Sequence, residues 1–305
     1  MTQDYASVLE QLDAFAQLHA REMQHPDELG LSPEQQKLFV SLCSVNVHEE
    51  NLALRIARSL RMESEEALRL LAEAGRPMSI LDCGCGWGTH ALLFAFLGAR
   101  VIGAELIEER LHIGRVRLEW YRKQANRPLD VEFMARNIFP VLRERSCEMV
   151  WICQAISHIH PAEDFLDQLY ETMPPGGWVV ISDANWLHPL TRWHLYKQYW
   201  RVHKKLRWYS HSRYKDPATG EPVEMAEERV FSPGGLARLV RRSGFEVTCT
   251  HTRGFVPVFR LSRQGNWPGA LRLSDRLDAA LSHTPIIGRL GGFLVVVGRK
   301  GAERP

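Results

Sequence analysis

The segment Ser79-Ile80-Leu81-Asp82-Cys83-Gly84-Cys85-Gly86-Trp87-Gly88-Thr89-His90 gathers residue types that can hold a ligand: an apolar run, an acid and alternating glycines, with a helix-length stretch behind them. Glycines permit a tight turn and let the main chain approach a bound group, while the first turn of a helix offers unpaired N–H groups. A dinucleotide fingerprint needs a glycine or alanine three residues after its second glycine, and this chain has Thr89 there. Glu105 closes the next apolar run, where its carboxylate can accept both hydroxyls of a ribose. The competing reading is a plain α/β turn whose glycines serve packing, with Glu105 as a solvated strand end.

A second group follows the apolar run Val150-Trp151-Ile152-Cys153-Gln154-Ala155-Ile156-Ser157-His158-Ile159-His160-Pro161. Imidazole titrates near neutrality, so His158 suits the role of a general base; otherwise it caps or packs beneath a helix at Ala162. His158 and His160 lack carboxylate or cysteine neighbours at a recognised ligand spacing, so no metal is expected. The six cysteines (Cys43, Cys83, Cys85, Cys147, Cys153 and Cys249) form no CxxC pair and read as reduced thiols.

The spacing of apolar residues outlines the scaffold for these groups. From Met78 it predicts strands at Met78–Cys83, Arg100–Glu105, Val131–Asn137, Cys147–Cys153 and Trp178–Asp183. Helix-length stretches lie between them, among them Thr89–Leu97, Glu109–Gln124 and Ala162–Thr172. Such alternation means parallel strands with helical crossovers, hence an α/β fold with a doubly wound sheet. Ser232-Pro233 opens a further helix, and Phe245–Thr252 and Gly292–Gly298 add two strands. Before Met78, apolar residues recur at helical spacing, as in Val8, Leu12, Phe15 and Leu52, Ile56, Leu60. Ser32-Pro33-Glu34-Gln35 carries the signature of a helix start, and Gly75 and Pro77 stop the helical run. Residues 1–76 are therefore expected as an N-terminal helical cap and 77–305 as the α/β domain.

At Leu81-Asp82-Cys83-Gly84-Cys85-Gly86-Trp87-Gly88, with Glu105 ending the second strand, the chain resembles the class I S-adenosylmethionine-dependent methyltransferases. Met173-Pro174-Pro175-Gly176-Gly177-Trp178 is similar to that family's turn into its fifth strand, and Ser243-Gly244-Phe245-Glu246-Val247 to the start of its sixth. The resemblance implies a Rossmann-like sheet of seven strands, the last antiparallel, and S-adenosyl-L-methionine as cofactor. It places Asp82, Gly84, Cys85 and Gly86 along the methionine part, Glu105 on the ribose and Leu106 against adenine. Asn137 stands where the family often has an acid for the adenine amine, and Ile138 and Gln154 complete the implied cofactor set. Many members that act on small molecules have a histidine at the place of His158. The glycine loop with Trp87 also resembles the cyclopropane fatty acid synthases, whose pattern the rest of the chain does not follow closely.

With 305 residues, 45% hydrophobic and 24% charged, the composition is that of a soluble globular protein and excludes a disordered or collagen-like chain. The net charge of +2 hides an asymmetry. Trp186 to Lys215 holds eight basic residues, eight aromatics and no acid, so the remainder carries six more negative than positive charges. This stretch lies in an insertion, residues 184–231, expected as a lid; residues 253–290 form a second insertion. Trp186, Trp193 and Trp200 recur every seven residues with Tyr196 between them, which predicts an aromatic stripe on one helix face flanked by Arg192. Core packing, a lid over an acceptor with an apolar body and an anionic group, and peripheral docking on an anionic membrane all accommodate it. The favoured acceptor is therefore a small or lipid-like molecule, anionic or amphipathic. An RNA-interacting protein or RNA methyltransferase is the alternative, against which stand the acidic body and the lack of an appended binding module. No leader-like segment or membrane-length apolar run is present, so a cytoplasmic protein is expected.

Overall fold

The computed structural model describes residues 4–42, 51–193, 196, 211–226, 229–255, 268–282 and 284–301. Helices α1 (Tyr5–Gln24), α2 (Pro33–Leu42) and α3 (Leu52–Ala74) precede β1 (Ser79–Cys83), α4 (Thr89–Phe96), β2 (Arg100–Glu105), α5 (Glu108–Ala125) and β3 (Val131–Ala135). Then come α6 (Ile138–Glu144), β4 (Met149–Cys153), α7 (Ala162–Thr172), β5 (Trp178–Ala184), β6 (His211–Lys215) and β7 (Pro222–Ala226). Helix α8 (Pro233–Arg242), β8 (Glu246–Arg253), α9 (Pro268–Ser282) and β9 (Phe293–Arg299) complete the order. Seven strands form a sheet in the order β3-β2-β1-β4-β5-β9-β8, mostly parallel, with β9 antiparallel to β5 and β8. The expected α/β Rossmann-like sheet is the one observed. The predicted elements match it to within about three residues, the uncertainty usual at element ends.

Two compact units divide the chain: residues 1–135 with 258–271, and residues 136–257 with 272–305. In the first, the capping box is formed: the Ser32 hydroxyl accepts from the Gln35 N–H at 3.3 Å, and the Gln35 side chain accepts from the Ser32 N–H at 3.0 Å. Gly75 ends α3 in the left-handed region (φ 59°), which ordinary side chains avoid. Helix α1 buries Val8, Leu12, Phe15 and Met23, and the Phe15 ring stacks on Tyr121 of α5 at 5.0 Å. The N-terminal helices thus pack on α4 and α5, the Phe15 ring meeting Phe96 of α4 at 5.6 Å as well.

In the second unit, β4 and β5 are almost wholly buried, as parallel strands covered on both faces must be. The insertion contains what its composition did not suggest, an antiparallel hairpin of β6 and β7. Asp216 makes its turn: the carboxylate accepts from the Ala218 N–H at 2.8 Å, and the Asp216 carbonyl accepts from Gly220 at 2.7 Å. The aromatic stripe needs correction at Trp186. Asn185, fully buried, accepts the Leu187 N–H at 3.0 Å and turns the chain, so helix begins only at residue 189 and Trp186 lies in the turn before it. Trp193 and Tyr196 are helical, about half exposed, and stack at 6.0 Å. Trp200 and the basic run Lys197, Arg201, Lys204, Lys205 and Arg207 lie outside the described residues, as do residues 256–267. Among the described residues, no helix is long and apolar enough to cross a membrane.

Candidate cofactor and acceptor site

In the first unit, β1 delivers Asp82 and Cys83, both buried, to a turn whose Gly84, Gly86 and Gly88 all have positive φ (70°, 55° and 76°). The turn is pinned to β2, because the Ala104 carbonyl accepts from Gly84 at 2.8 Å and from Cys85 at 3.0 Å. Two of these glycines do different work. A Cβ at Gly88 would sit 2.5 Å from the Phe133 ring, so Gly88 is required by crowding as well as by φ. A Cβ at Gly86 would meet nothing within 4 Å, so space opens beside it. Phe133, unremarked in the sequence, also lies 2.8 Å from the place of a Cβ on Gly103 and 3.4 Å from one on Gly114. Three glycines distant in sequence thus make room for one ring.

Glu105 holds the loop. Its Oε2 accepts the Gly86 N–H at 3.1 Å, while Oε1 accepts Leu106 N–H at 2.8 Å and Ile107 N–H at 3.0 Å. The Arg110 guanidinium lies 3.6 Å from the same carboxylate. The sequence pattern singles out the residue but not this duty: it fixes the loop it belongs with.

Asp82 is 2% exposed, and its Oδ2 has no hydrogen-bond partner among the described residues. Burial pushes its carboxyl up to about 7, although the His90 imidazole and the Ala91 N–H pull the other way. A buried carboxylate oxygen left unpartnered is costly, and a cationic ligand group would relieve it. That orphan oxygen and the open space at Gly86 fit the ammonium end of S-adenosylmethionine. Burial raises the Cys85 thiol well above its ordinary value, which disfavours its thiolate form. Cys83, Cys85, Cys147, Cys153 and Cys249 are all free thiols.

In the second unit, Asn137 caps α6, its side-chain oxygen accepting the Phe139 N–H at 3.2 Å. One lone pair remains on that oxygen. The Asn137 N–H donates to Asp216 at 2.9 Å, which ties the insertion hairpin to this loop. Ile138 follows in the first turn of α6, half-buried. Gln154 adopts a left-handed conformation (φ 49°) just past β4, its N–H donating to the Ser182 carbonyl at 2.8 Å. A non-glycine residue in this conformation costs roughly 1–2 kcal/mol.

His158 sits against the hairpin. Its Nδ1 is 3.2 Å from the Ala226 carbonyl, and its own carbonyl accepts the Ala226 N–H at 3.0 Å. A carbonyl can only accept, so Nδ1 carries the hydrogen and Nε2 of the neutral ring keeps its lone pair. Asp183, buried at the end of β5, accepts the Ser157 N–H at 3.2 Å and the Ala184 N–H at 2.6 Å. Burial raises its carboxyl to about 6, and the hydrogen bonds from Ala184 and Ser157 oppose that rise. Trp186, with Arg192 over its ring at 5.2 Å, lines a cleft of about 760 Å³ together with Phe231, Leu239, Arg229, Arg238 and Arg241. Glu163 also lines this cleft and is already held by Arg229 at 2.8 and 2.5 Å.

Relatives share this sequence only in part. The ubiquinone biosynthesis O-methyltransferase of Thiobacillus denitrificans is 26% identical over 106 residues, which is 35% of this chain and 44% of that protein. An S-adenosyl-L-methionine-dependent Diels-Alderase of Talaromyces variabilis is 32% identical over 133 residues, 42% of this chain and 44% of that one. The chain thus spans less than half the length of these curated relatives. The solved magnesium protoporphyrin IX methyltransferase of Synechocystis is 13% identical with a TM-score of 0.49, over 82% of this chain and 87% of that one. Residues 54–250, more than half of the chain, match the family model described as a methyltransferase domain. With its glycine loop, strand-end glutamate and strand order, the chain belongs to that family, the class I S-adenosylmethionine-dependent methyltransferases.

Proposed function

We propose that this methyltransferase acts on a small-molecule or lipid-like acceptor, anionic or amphipathic, with His158 as the base that takes the acceptor's proton. The observation that carries this reading is the Nδ1 contact of His158 with the Ala226 carbonyl, which reserves Nε2 as the proton acceptor. When bound, S-adenosylmethionine supplies an electrophilic methyl group on a positively charged sulfur. Asp82 binds its amino group; Gly84, Cys85 and Gly86 line its methionine part. Glu105 would hold the ribose hydroxyls and Leu106 would pack on adenine, and the family resemblance adds Asn137, Ile138 and Gln154 to the cofactor residues. In-line displacement asks the protein chiefly to align the acceptor, and His158 Nε2 would take the proton of an O–H or N–H acceptor.

The acceptor's character is supported by the cleft beside Trp186, whose apolar floor of Phe231 and Leu239 meets a rim of arginines. Trp193 and Tyr196, exposed and stacked, offer a second apolar surface on the same insertion, and Trp200 belongs to that proposed set. Relatives named for O-methylation in ubiquinone biosynthesis support a hydroxyl on an apolar body. The test is turnover against a panel of phenols and hydroxylated carboxylates, with and without an alkyl tail. For the best of them, His158→Gln is expected to bind S-adenosylhomocysteine normally while kcat falls about 100-fold or more. Unchanged turnover would remove His158 from the mechanism.

A further inference from the structure

The deepest ion pair in the first unit touches the glycine loop. Arg117 of α5 and Glu22 of α1 are both fully buried, their side chains 0% exposed. The guanidinium forks onto the carboxylate, with Nη2–Oε1 at 2.6 Å and Nε–Oε2 at 3.0 Å. Tyr121 donates its hydroxyl to Glu22 Oε1 at 2.8 Å, and His19 Nδ1 lies against the same oxygen. Phe39 of α2 covers the guanidinium at 5.0 Å. The remaining nitrogen, Nη1, reaches the loop itself: it donates to the Trp87 carbonyl at 2.6 Å and to the Thr89 hydroxyl at 3.0 Å.

Trp87 stands between Gly86 and Gly88, two left-handed glycines whose backbones have more freedom than any other residue's. Left alone, the peptide they flank would sample several orientations. The loop's own turn bond, from the Gly88 N–H to the Cys85 carbonyl at 2.8 Å, is supplemented from two sides: Glu105 accepts the Gly86 N–H, and Arg117 donates to the Trp87 carbonyl. Bringing Arg117 and Glu22 out of water is costly, and a buried ion pair is often replaceable by apolar residues with no loss of stability. Holding the loop is a use for the pair that fold stability does not explain. We propose that Glu22 and Arg117 are positioning residues through which the N-terminal helices set the cofactor loop, so that cofactor affinity depends on α1. The proposal rests on the cofactor assignment of that loop.

The test replaces the pair by apolar residues of similar size, Glu22→Leu with Arg117→Met, in the full chain. Thermal unfolding, hydrogen exchange of residues 84–90 in ligand-free protein, and calorimetry with S-adenosylhomocysteine are compared with the unsubstituted chain. The expected result is a Tm as high as before, faster loop exchange, and a Kd for S-adenosylhomocysteine raised about tenfold or more, the scale of a lost charge-assisted hydrogen bond. A folded double variant whose loop exchange and Kd are unchanged overturns the proposal. If the double variant does not fold, Arg117→Lys decides on the same two readings, because lysine keeps the charge beside Glu22 but loses the fork that also reaches Trp87. An unsubstituted chain that fails to bind S-adenosylhomocysteine would strike the cofactor assignment. In that case, unchanged loop exchange in the variant would still overturn the positioning role and faster exchange would support it.

Discussion

Asp82→Asn tests the electrostatics of the cofactor loop directly. In the folded, ligand-free protein the Asp82 carboxyl is pushed up to about 7 by burial, against an ordinary value of 3.8. A carboxyl with a raised folded pKa binds protons more tightly in the native state than in the unfolded one. Its contribution to stability is therefore full below about 4 and lost as pH rises through about 7. Between pH 6 and pH 8 the native carboxyl goes from mostly protonated to mostly charged, which amounts to about 1.4 kcal/mol. Asp183, raised to about 6, adds a smaller loss of the same sign over this range. His19 and His188, both lowered by burial, contribute with the opposite sign. The quantity to read is thus the difference between Asp82→Asn and the unsubstituted chain, in which these shared groups cancel. Urea unfolding at pH 6 and pH 8 should find the Asn variant gaining about 1.4 kcal/mol relative to the parent as pH rises. Saturating S-adenosylhomocysteine should abolish that gain, because its ammonium stabilises the charged Asp82. Parallel profiles for the two ligand-free proteins would refute the claim that burial raises the Asp82 carboxyl to about 7.

Other perturbations probe the scaffold. Gly88→Ala, at φ 76° and with its Cβ 2.5 Å from the Phe133 ring, should lose about 2–4 kcal/mol in urea unfolding. Phe133→Leu in the same chain should recover part of that loss by relieving the clash. Asp216→Ala frees the Asn137 N–H and two hairpin amides, and should speed hydrogen exchange across residues 211–226 while leaving β4 and β5 protected. Glu22, held by Arg117 and His19 down to about 2, contributes stability that is present above about 4.5 and lost as pH falls towards 2. Glu22→Gln should therefore flatten the acid limb of the unfolding profile.

What could be read from the amino acids alone follows from the range of the interactions involved. The glycine loop, Glu105 and the parallel strands were legible because each is a local pattern: glycine alternation, an acid closing an apolar run, apolar stretches at regular intervals. Element ends moved by a few residues where tertiary contacts decide them; Ser79 and not Met78 opens β1, for instance. The hairpin was legible in principle, since Asp216-Pro217 and Thr219-Gly220 are turn pairs, but the sevenfold spacing of Trp186, Trp193 and Trp200 signals only a helix face and says nothing of residues beyond it. The same hairpin supplies the Ala226 carbonyl that orients His158, so the proposed base is legible in the sequence while the contact that sets its tautomer is not.

Two features had no local signature. Phe133 matters because Gly88, Gly103 and Gly114 converge on it, and nothing near Val131–Ala135 in sequence announces that convergence. Arg117 and Glu22 are 95 residues apart and look, on their own helices, like ordinary solvated charges. Burial turns them into a clamp, and burial is a property of the folded unit. The loop motif therefore identifies the chemistry, while the geometry that makes the loop rigid comes from residues whose partners lie far along the chain. Family membership alone leaves open how each member sets its cofactor affinity; in this chain the answer runs through α1, and Glu22 is the residue on which it can be measured.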